Sequence, residues 1–444
     1  MNRLIFHLQP FLYLIFLTGG VFFGLGLGTN IITDTKEKDS VWWATLLRSL
    51  SLICIVHVIS VMMGFLWPHR KLENCLDKLR QENDGQLPNL VIRYVTRGDN
   101  AAIISESIDK AFEVTKKYEN VSVEVVTDNA VVFTPEMIEK NYLNLTELVV
   151  PGDYKTENKS VFKARALQYA LENSTIGTHD FILHLDEESH VTPDAMLGIY
   201  QHIYKNPGKV GQGTIVYNRS LLTGWKNWKK TFCTMADAIR ISDDLSRFRM
   251  AFNIGKPFYG CKGSYIVIKN SIEKDVTFDI SPKLCITEDA SFAFSLHQKH
   301  YEFAYVEGYI SEISPSNFVD FIKQRARWMR GLWLIVFKHQ GNPWRRIIIA
   351  LGMITWTLIF LNIVSFISFF VLSEYDLPTS LAVINGVIFA TYIFSYLYGG
   401  IAGGYGLMSF LGVILTPLFL LLEATSAIYA LFTMDMCNFH VIKK

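Results

Sequence analysis

Metal-ligand spacing is missing from the six cysteines, Cys54, Cys75, Cys233, Cys261, Cys285 and Cys437, and their positions do not suggest a disulfide framework. That absence points to reducing surroundings for the middle of the chain rather than to secretion. A dominant charge sign is missing too. The 42 Lys+Arg and 41 Asp+Glu leave a formal charge of +1, which excludes a nucleic-acid-sized basic field. With 50% hydrophobic residues the chain is not disordered. The most informative gap is local: between Asp376 and Glu423, 46 residues pass without Asp, Glu, Lys or Arg. No soluble domain needs such a run, so the 444 residues divide between a large soluble core and a membrane part.

A spanning helix takes about 20 mostly apolar residues. Phe11–Leu27 and Ser49–Trp67 meet that test, with the short polar loop Asn30–Ser40 between them, so a two-helix hairpin is a better reading than a cleaved signal peptide. Ile347–Leu372, Leu381–Ala402 and Leu407–Phe432 follow at the other end, giving five expected spans. Arg3, the group His69, Arg70 and Lys71, and the pair Arg345 and Arg346 beside Trp344 fall on one side of these spans. The charge rule makes that side, and the residues from 68 to 346 with it, cytosolic. The loop with Glu374 and Asp376 has no Lys or Arg, as a lumenal loop should. Five spans would leave Lys443 and Lys444 lumenal, a conflict that a re-entrant segment would remove. Sequons at Asn120, Asn144, Asn158, Asn173 and Asn218 would by themselves argue for a lumenal domain. Such tripeptides are short enough to arise by chance, and the flanking charges outweigh them.

In the centre, β-branched runs at Leu90–Val95, Val121–Val126, Leu145–Val150 and Phe181–Leu185 alternate with helical stretches such as Ala101–Tyr118 and Val161–Leu171. That spacing predicts βαβ units and a mostly parallel sheet, whose ligands bind beyond the carboxyl ends of the strands. The residues expected there are Thr96, Arg97, Gly98 and Asp99, then Thr127 and Asp128, then Asp186, Glu187 and Glu188. Asp186 and Glu188, two apart after an extended run, are placed to reach a Mg2+ or Mn2+ ion, with Glu187 pointing elsewhere. Such ions use one or two carboxylates plus substrate phosphates, so a nucleotide-sugar diphosphate would complete the site. An acidic turn alone is weak evidence for this.

Thr287, Glu288 and Asp289 open an expected helix reaching about Lys299. Thr287 as an N-cap with two first-turn acids would explain all three residues without function. The functional reading makes one acid, Asp289, a general base. Gln324, Arg325, Arg327 and Trp328 lie in an amphipathic stretch, Phe318–Phe337, suited to the membrane interface. Arg327 can also pair with phosphate oxygens and offset charge on a leaving diphosphate. Lys163 and Arg165 either face the same donor or lie on a solvated helix face. Glu423, an acid inside the last span, is either functional or held by helix packing.

Asp128, Asp186 with Glu188, Asp289 in Thr-Glu-Asp, and Gln324, Arg327 and Trp328 in Gln-x-x-Arg-Trp occur in the order and at the spacing of glycosyltransferase family 2, which the chain resembles. Residues 92–99 (IRYVTRGD), 124–128 (EVVTD), 149–156 (VVPGDYKT), 163–169 (KARALQY), 184–188 (HLDEE) and 262–265 (KGSY) are similar to the Egghead family of β-1,4-mannosyltransferases. The likeness covers roughly residues 90 to 335. A shorter loop before Thr287 and dissimilar membrane ends are departures from that family's pattern.

The resemblance implies an α/β GT-A (Rossmann-like) catalytic domain flanked by transmembrane helices, with inverting transfer of mannose from GDP-mannose to glucosylceramide. It further implies donor contacts from Arg97, Asp128, Lys163, Arg165, Asp186, Gln324 and Arg327, metal at Asp186 and Glu188, catalysis by Asp289, and acceptor contacts from Glu288 and Trp328. The expected organisation is an N-terminal transmembrane hairpin (1–67), a cytosolic catalytic domain (68–315), interfacial helices (316–346) and C-terminal spans (347–444), in the endoplasmic reticulum or Golgi. The expected partners are GDP-mannose, a glycolipid acceptor and the bilayer, without nucleic acid. The rival reading is a processive membrane polysaccharide synthase using a nucleotide sugar, with Glu423 as a candidate acid on its polymer path.

Overall fold

A computed structural model describes residues 3–29, 40–131, 144–217, 220, 222, 224–340 and 342–434. Asn218, Cys437, Lys443, Lys444 and most of the Asn30–Ser40 loop fall outside them. Seven strands form one sheet in the order β3-β2-β1-β4-β6-β5-β7. They are β1 (Leu90–Thr96), β2 (Val121–Thr127), β3 (Leu145–Val149), β4 (Phe181–Asp186), β5 (Val210–Tyr217), β6 (Ile266–Lys269) and β7 (Phe303–Glu312). β6 is antiparallel to both its neighbours, and the other pairings are parallel. This mostly parallel α/β sheet is the fold class that the sequence predicts. The register sets Thr96 beside Thr127 and Val95 beside Asp186, so the polar ends of three strands share one rim.

Beneath that rim the sheet buries charge. Arg93 on β1 is paired with Glu124 on β2 at 2.5 Å and with Glu273 at 2.6 Å, and His184 on β4 reaches Glu273 at 2.9 Å. All four side chains are buried. Burial opposes the Glu273 charge, but Arg93 and His184 outweigh it and hold its carboxyl down at about 2. Arg93, Glu124 and His184 belong to the stretches that carry the family resemblance, and their place here is structural.

Among the described residues, four helices are long and apolar enough to cross a membrane: Phe6–Gly28, Trp42–Leu66, Thr379–Ala402 and Met408–Phe432. A fifth candidate is broken. Pro343–Thr357 and Ile359–Val371 meet at a 50° bend, where one straight span was expected. The second span begins earlier than Ser49, because Arg48 is buried within it. Its guanidinium donates to the Tyr375 carbonyl at 2.7 Å and to the Leu27 carbonyl at 3.1 Å, and lies 4.7 Å from the Phe369 ring centroid.

Contacts sort the helix ends into two groups. Gly28, Arg48 and Leu377 meet at the end remote from the sheet: the Leu377 amide donates to Gly28 and the Ser365 hydroxyl to Arg48. Phe6, Tyr398 and Tyr405 lie towards the sheet, where the Tyr405 hydroxyl donates to the Thr234 carbonyl at 3.2 Å. Glycines allow a close crossing: a Cβ on Gly24 would stand 2.1 Å from the Ala382 carbonyl oxygen, and one on Gly386 would stand 1.9 Å from that of Gly20. The Met408–Phe432 helix behaves differently. It packs along the sheet-side helices, with Phe419 on Phe232, Glu423 on Arg325, and Thr433 accepting from Arg330 at 2.8 Å.

Candidate active site

The rim of β1, β2 and β4 opens into a cavity of about 660 Å³, a ligand-sized space. Arg97, Asp128, Lys163, Asp186, Glu188, Glu288, Asp289, Gln324, Arg327 and Trp328 all line it. Residues from distant parts of the chain therefore surround one volume. Arg165 is the exception among the expected site residues. It stands behind the wall, donating to Asp128 at 2.5 Å and to the carbonyls of Pro151 and Tyr154 at 3.2 Å each. Its geometry suits orienting Asp128 rather than touching a ligand.

Asp186 ends β4, and its amide donates to the Ser264 hydroxyl at 2.8 Å. Glu187, expected to point elsewhere, also lines the cavity, with its carboxylate accepting from Thr96 at 2.5 Å and from Asn100 at 3.4 Å. Lys163, from the Phe162–Asn173 helix, ties the rim to the second acidic group. Its ammonium binds Asp186, donates to the Gly263 carbonyl at 3.2 Å, and lies 3.7 Å from Glu288. Burial works against that ammonium, yet Asp186 and Glu288 outweigh it and raise its pKa.

Glu288 and Asp289 begin the Glu288–Gln298 helix after a short 3-10 turn, Leu284–Thr287. The capping explanation for this group fails in part. Thr287 occupies the N-cap position, but its side chain makes no capping hydrogen bond. Burial raises the Asp289 carboxyl above its ordinary range, against the pull of Lys163. Burial and then the neighbouring Asp289 lift the Glu288 carboxyl to about 7. Two acids with raised proton affinity at neutral pH suit general-base chemistry.

Gln324, Arg327 and Trp328 project from the Phe318–Lys338 helix, which starts at Asn317, whose side chain accepts from the Asp320 amide. Gly331 lets this helix reach the Thr287 turn, since a Cβ there would stand 2.4 Å from Thr287 Cγ2. Arg325 points away from the cavity's charged end into a buried cluster. It binds Asp237, and its Nε donates to Glu423 at 3.1 Å. The Trp328 ring, expected to contact the acceptor, already has two guanidinium groups near it. Arg240 lies 4.2 Å and Arg325 4.5 Å from its centroid.

Several residues that line the cavity are not among those the sequence pattern points to. Arg240, Asp243 and Arg247 come from a helical segment with a π-helical stretch at Asp244–Phe248. Asp243 and Arg247 pair at 2.6 Å, and Lys262 binds Asp244. Glu312, at the end of β7, accepts from Ser189 at 3.1 Å, and burial and then Asp186 push its carboxyl up to about 7. Only Lys262 carries a signal, through the stretch KGSY; the others sit in no local motif.

Among the described residues, no group of three His, Cys, Asp or Glu side chains could hold a metal by itself. Asp186 and Glu188 nevertheless both face the cavity, and two carboxylates fit a hard cation that shares its remaining positions with a diphosphate and water.

Residues 181–432 match the glycosyl transferase family group 2. The chain is 30% identical over 413 residues to the beta-1,4-mannosyltransferase egh of Drosophila melanogaster, covering 90% of this chain and 87% of that one. It is 34% identical over 274 residues to the beta-1,4-mannosyltransferase bre-3 of Caenorhabditis elegans, covering 61% of this chain and 58% of the relative. Among solved structures, the mannosyltransferase PcManGT from Pyrobaculum calidifontis, in complex with GDP-Man and Mn2+, aligns with a TM-score of 0.46 at 12% identity, over 87% of this chain and 99% of that one. Motif order, sheet and relatives agree: the chain belongs to glycosyltransferase family group 2.

Proposed function

We propose that the protein is an inverting β-1,4-mannosyltransferase that moves mannose from GDP-mannose to glucosylceramide at the cytosolic face of the endoplasmic reticulum or Golgi. The observation that carries this reading is the meeting of Asp128, Asp186, Glu188, Asp289 and Arg327 around one cavity that continues among the membrane helices. The relatives' activity supports the sugar.

In this reading Asp128, held by Arg165, and Arg97 take the nucleotide end of the donor, with Lys163 and Gln324 beside it. A divalent cation at Asp186 and Glu188 neutralises charge on the diphosphate when bound. Asp289 accepts the proton of the acceptor hydroxyl, whose oxygen bonds to the anomeric carbon from the face opposite the leaving group. The bond from that carbon to the diphosphate breaks, GDP leaves with the electron pair, and the Arg327 guanidinium offsets its charge. Glu288 and Trp328 flank the acceptor sugar. Residues 68–315 form the catalytic domain in this scheme, 316–346 the interfacial segment, and 1–67 with 347–444 the membrane part.

The paired helix ends support the orientation. The hairpin, the bent pair and Thr379–Ala402 run between the two groups of ends, while Met408–Phe432 stays against the catalytic side at both ends. Purified protein given GDP- and UDP-sugars with glucosylceramide should respond to GDP-mannose, in a chelator-sensitive way, with the product read by mass. Asp289→Asn should lose about 100-fold or more in turnover while GDP-mannose binding survives. Parental turnover in that variant would exclude Asp289 as the base, and a long lipid-free polymer as product would exclude the glycolipid reading.

A further inference from the structure

The cavity changes character along its length. At the sheet rim its wall carries Arg97, Asp128 and Asp186, whereas among the membrane helices it carries Gly352, Met353, Ile359 and Leu420. Two polar side chains of this second limb, Trp356 and Thr355, are turned into the protein. Trp356 Nε1 donates to Glu423 at 2.9 Å, and the Thr355 hydroxyl donates to the Ile53 carbonyl at 2.9 Å. Besides the rings of His57, Tyr392 and Tyr396, the wall between these helices is hydrocarbon, which favours a mainly apolar occupant over a sugar or a peptide.

Space is left for that occupant. A Cβ built on Gly352 meets no atom within 4 Å, although this residue lies inside a helix and lines the cavity. Glycine weakens a helix interior by about 1 kcal/mol relative to alanine, and here no packing contact demands it. Six residues on, the helix breaks at Leu358 with the 50° bend, and Met353 and Ile359 line the cavity on either side of the break.

We infer that this limb is the binding site for the hydrocarbon chain of a lipid acceptor, seated against the bent helix pair while its sugar lies at the charged end. The inference rests on the proposed transfer to a glycolipid and adds where the chain goes. Because the two limbs are one cavity, headgroup and chain can be bound together without the lipid leaving the protein.

The test compares two acceptors with the same sugar, glucosylceramide and methyl β-glucoside, using GDP-mannose as donor. Gly352→Trp should raise KM for glucosylceramide about tenfold or more, the scale on which an apolar pocket discriminates by fit, and leave turnover of methyl β-glucoside at its parental value. Gly352→Ala, which meets nothing, should behave as the parent with both. Equal loss on both acceptors, or no loss on either, would overturn the inference. Should Gly352→Trp fail to fold, glucosylceramide with a diazirine at its chain end provides the second measurement on the parental protein. Labelling of Gly352 or Met353 supports the site, and labelling confined to outward residues such as Leu351 and Ile354 overturns it. Parental protein that mannosylates neither acceptor would instead defeat the proposed function.

Discussion

Gly331 controls how the two halves of the site meet. It lies one helical turn beyond Arg327, on the same face of the Phe318–Lys338 helix. Across from it, Thr287 immediately precedes Glu288 and Asp289. A Cβ on Gly331 would approach Thr287 Cγ2 to 2.4 Å, Oγ1 to 2.5 Å and Cβ to 2.9 Å. Since carbon atoms rest at about 3.5–4.0 Å, Gly331→Ala must move the helix or the turn by about 1 Å. Overpacking of this kind costs about 1–3 kcal/mol, and alanine's better helix propensity returns about 1, so the net loss of stability should stay below about 2 kcal/mol. Catalysis should suffer far more, because a misplacement of about 1 Å can cost about 100-fold. The assay pairs mannosyl transfer at saturating substrates with the unfolding midpoint in the same detergent. Thr287→Ala removes two of the three close atoms, and the Thr287 hydroxyl makes no hydrogen bond among the described residues. The double variant should therefore recover most of the rate, and Thr287→Ala alone should be near parental. Parental turnover in Gly331→Ala, or a double variant as slow as the single, would refute this account.

Three further outcomes follow from the buried charges. The Glu288 carboxyl is held at about 7 in the folded protein but titrates near about 4.3 when unfolded. Between those values the unfolded chain ionises first, so Glu288 should make stability fall as pH rises from about 4.3 to about 7, a slope that Glu288→Gln should reduce. Because burial raises the Asp289 carboxyl, kcat/KM should rise with pH as that base loses its proton, and a rate that falls instead would contradict the assignment. Arg93→Met leaves Glu124 and Glu273 buried without their guanidinium. It should cost about 3–5 kcal/mol in urea unfolding, and a loss below about 1 kcal/mol would mean the network carries no stability.

The first four strands are legible as short apolar, β-branched runs, three of which, β1, β2 and β4, end in a polar residue at the rim. β5, β6 and β7 do not stand out in the same way. β5 contains Gly211 and Gly213, which dilute the signal for a packing reason: a Cβ on Gly213 would lie 2.0 Å from the Tyr265 ring, and one on Gly211 would lie 2.5 Å from Val306. β6 has four residues, too few to show a period. In the site, each motif residue acts close to its neighbours in sequence and is readable. Arg240, Asp243, Arg247 and Glu312 reach the cavity only through tertiary packing, and the π-helical stretch resets which helix face points inward. Arg165 misleads because spacing places Lys163 and Arg165 near the same ligand but cannot show that one side chain stands behind the wall. Arg48 hides the start of the second span, since a charge reads as a boundary unless its partners, here backbone carbonyls from two other segments, are known.

Glu423 bears on the difference between a glycolipid enzyme and a polymer synthase. An acid within an apolar helix demands a partner, and one lining a polymer path would keep an oxygen available to passing sugar hydroxyls. Here one carboxylate oxygen accepts from Arg325 at 3.1 Å and the other from Trp356 at 2.9 Å. Arg325 in turn binds Asp237, lies 4.2 Å from the Phe321 ring centroid, and stacks near Trp328. The acid is thus a tie between the Met408–Phe432 helix, the bent pair and the helix that carries Arg327. Both its oxygens already serve protein donors, so it explains why the charged site and the apolar limb keep a fixed relation. A short headgroup held at one end and a chain at the other need that fixed relation, whereas a threading polymer needs a path whose wall can exchange partners.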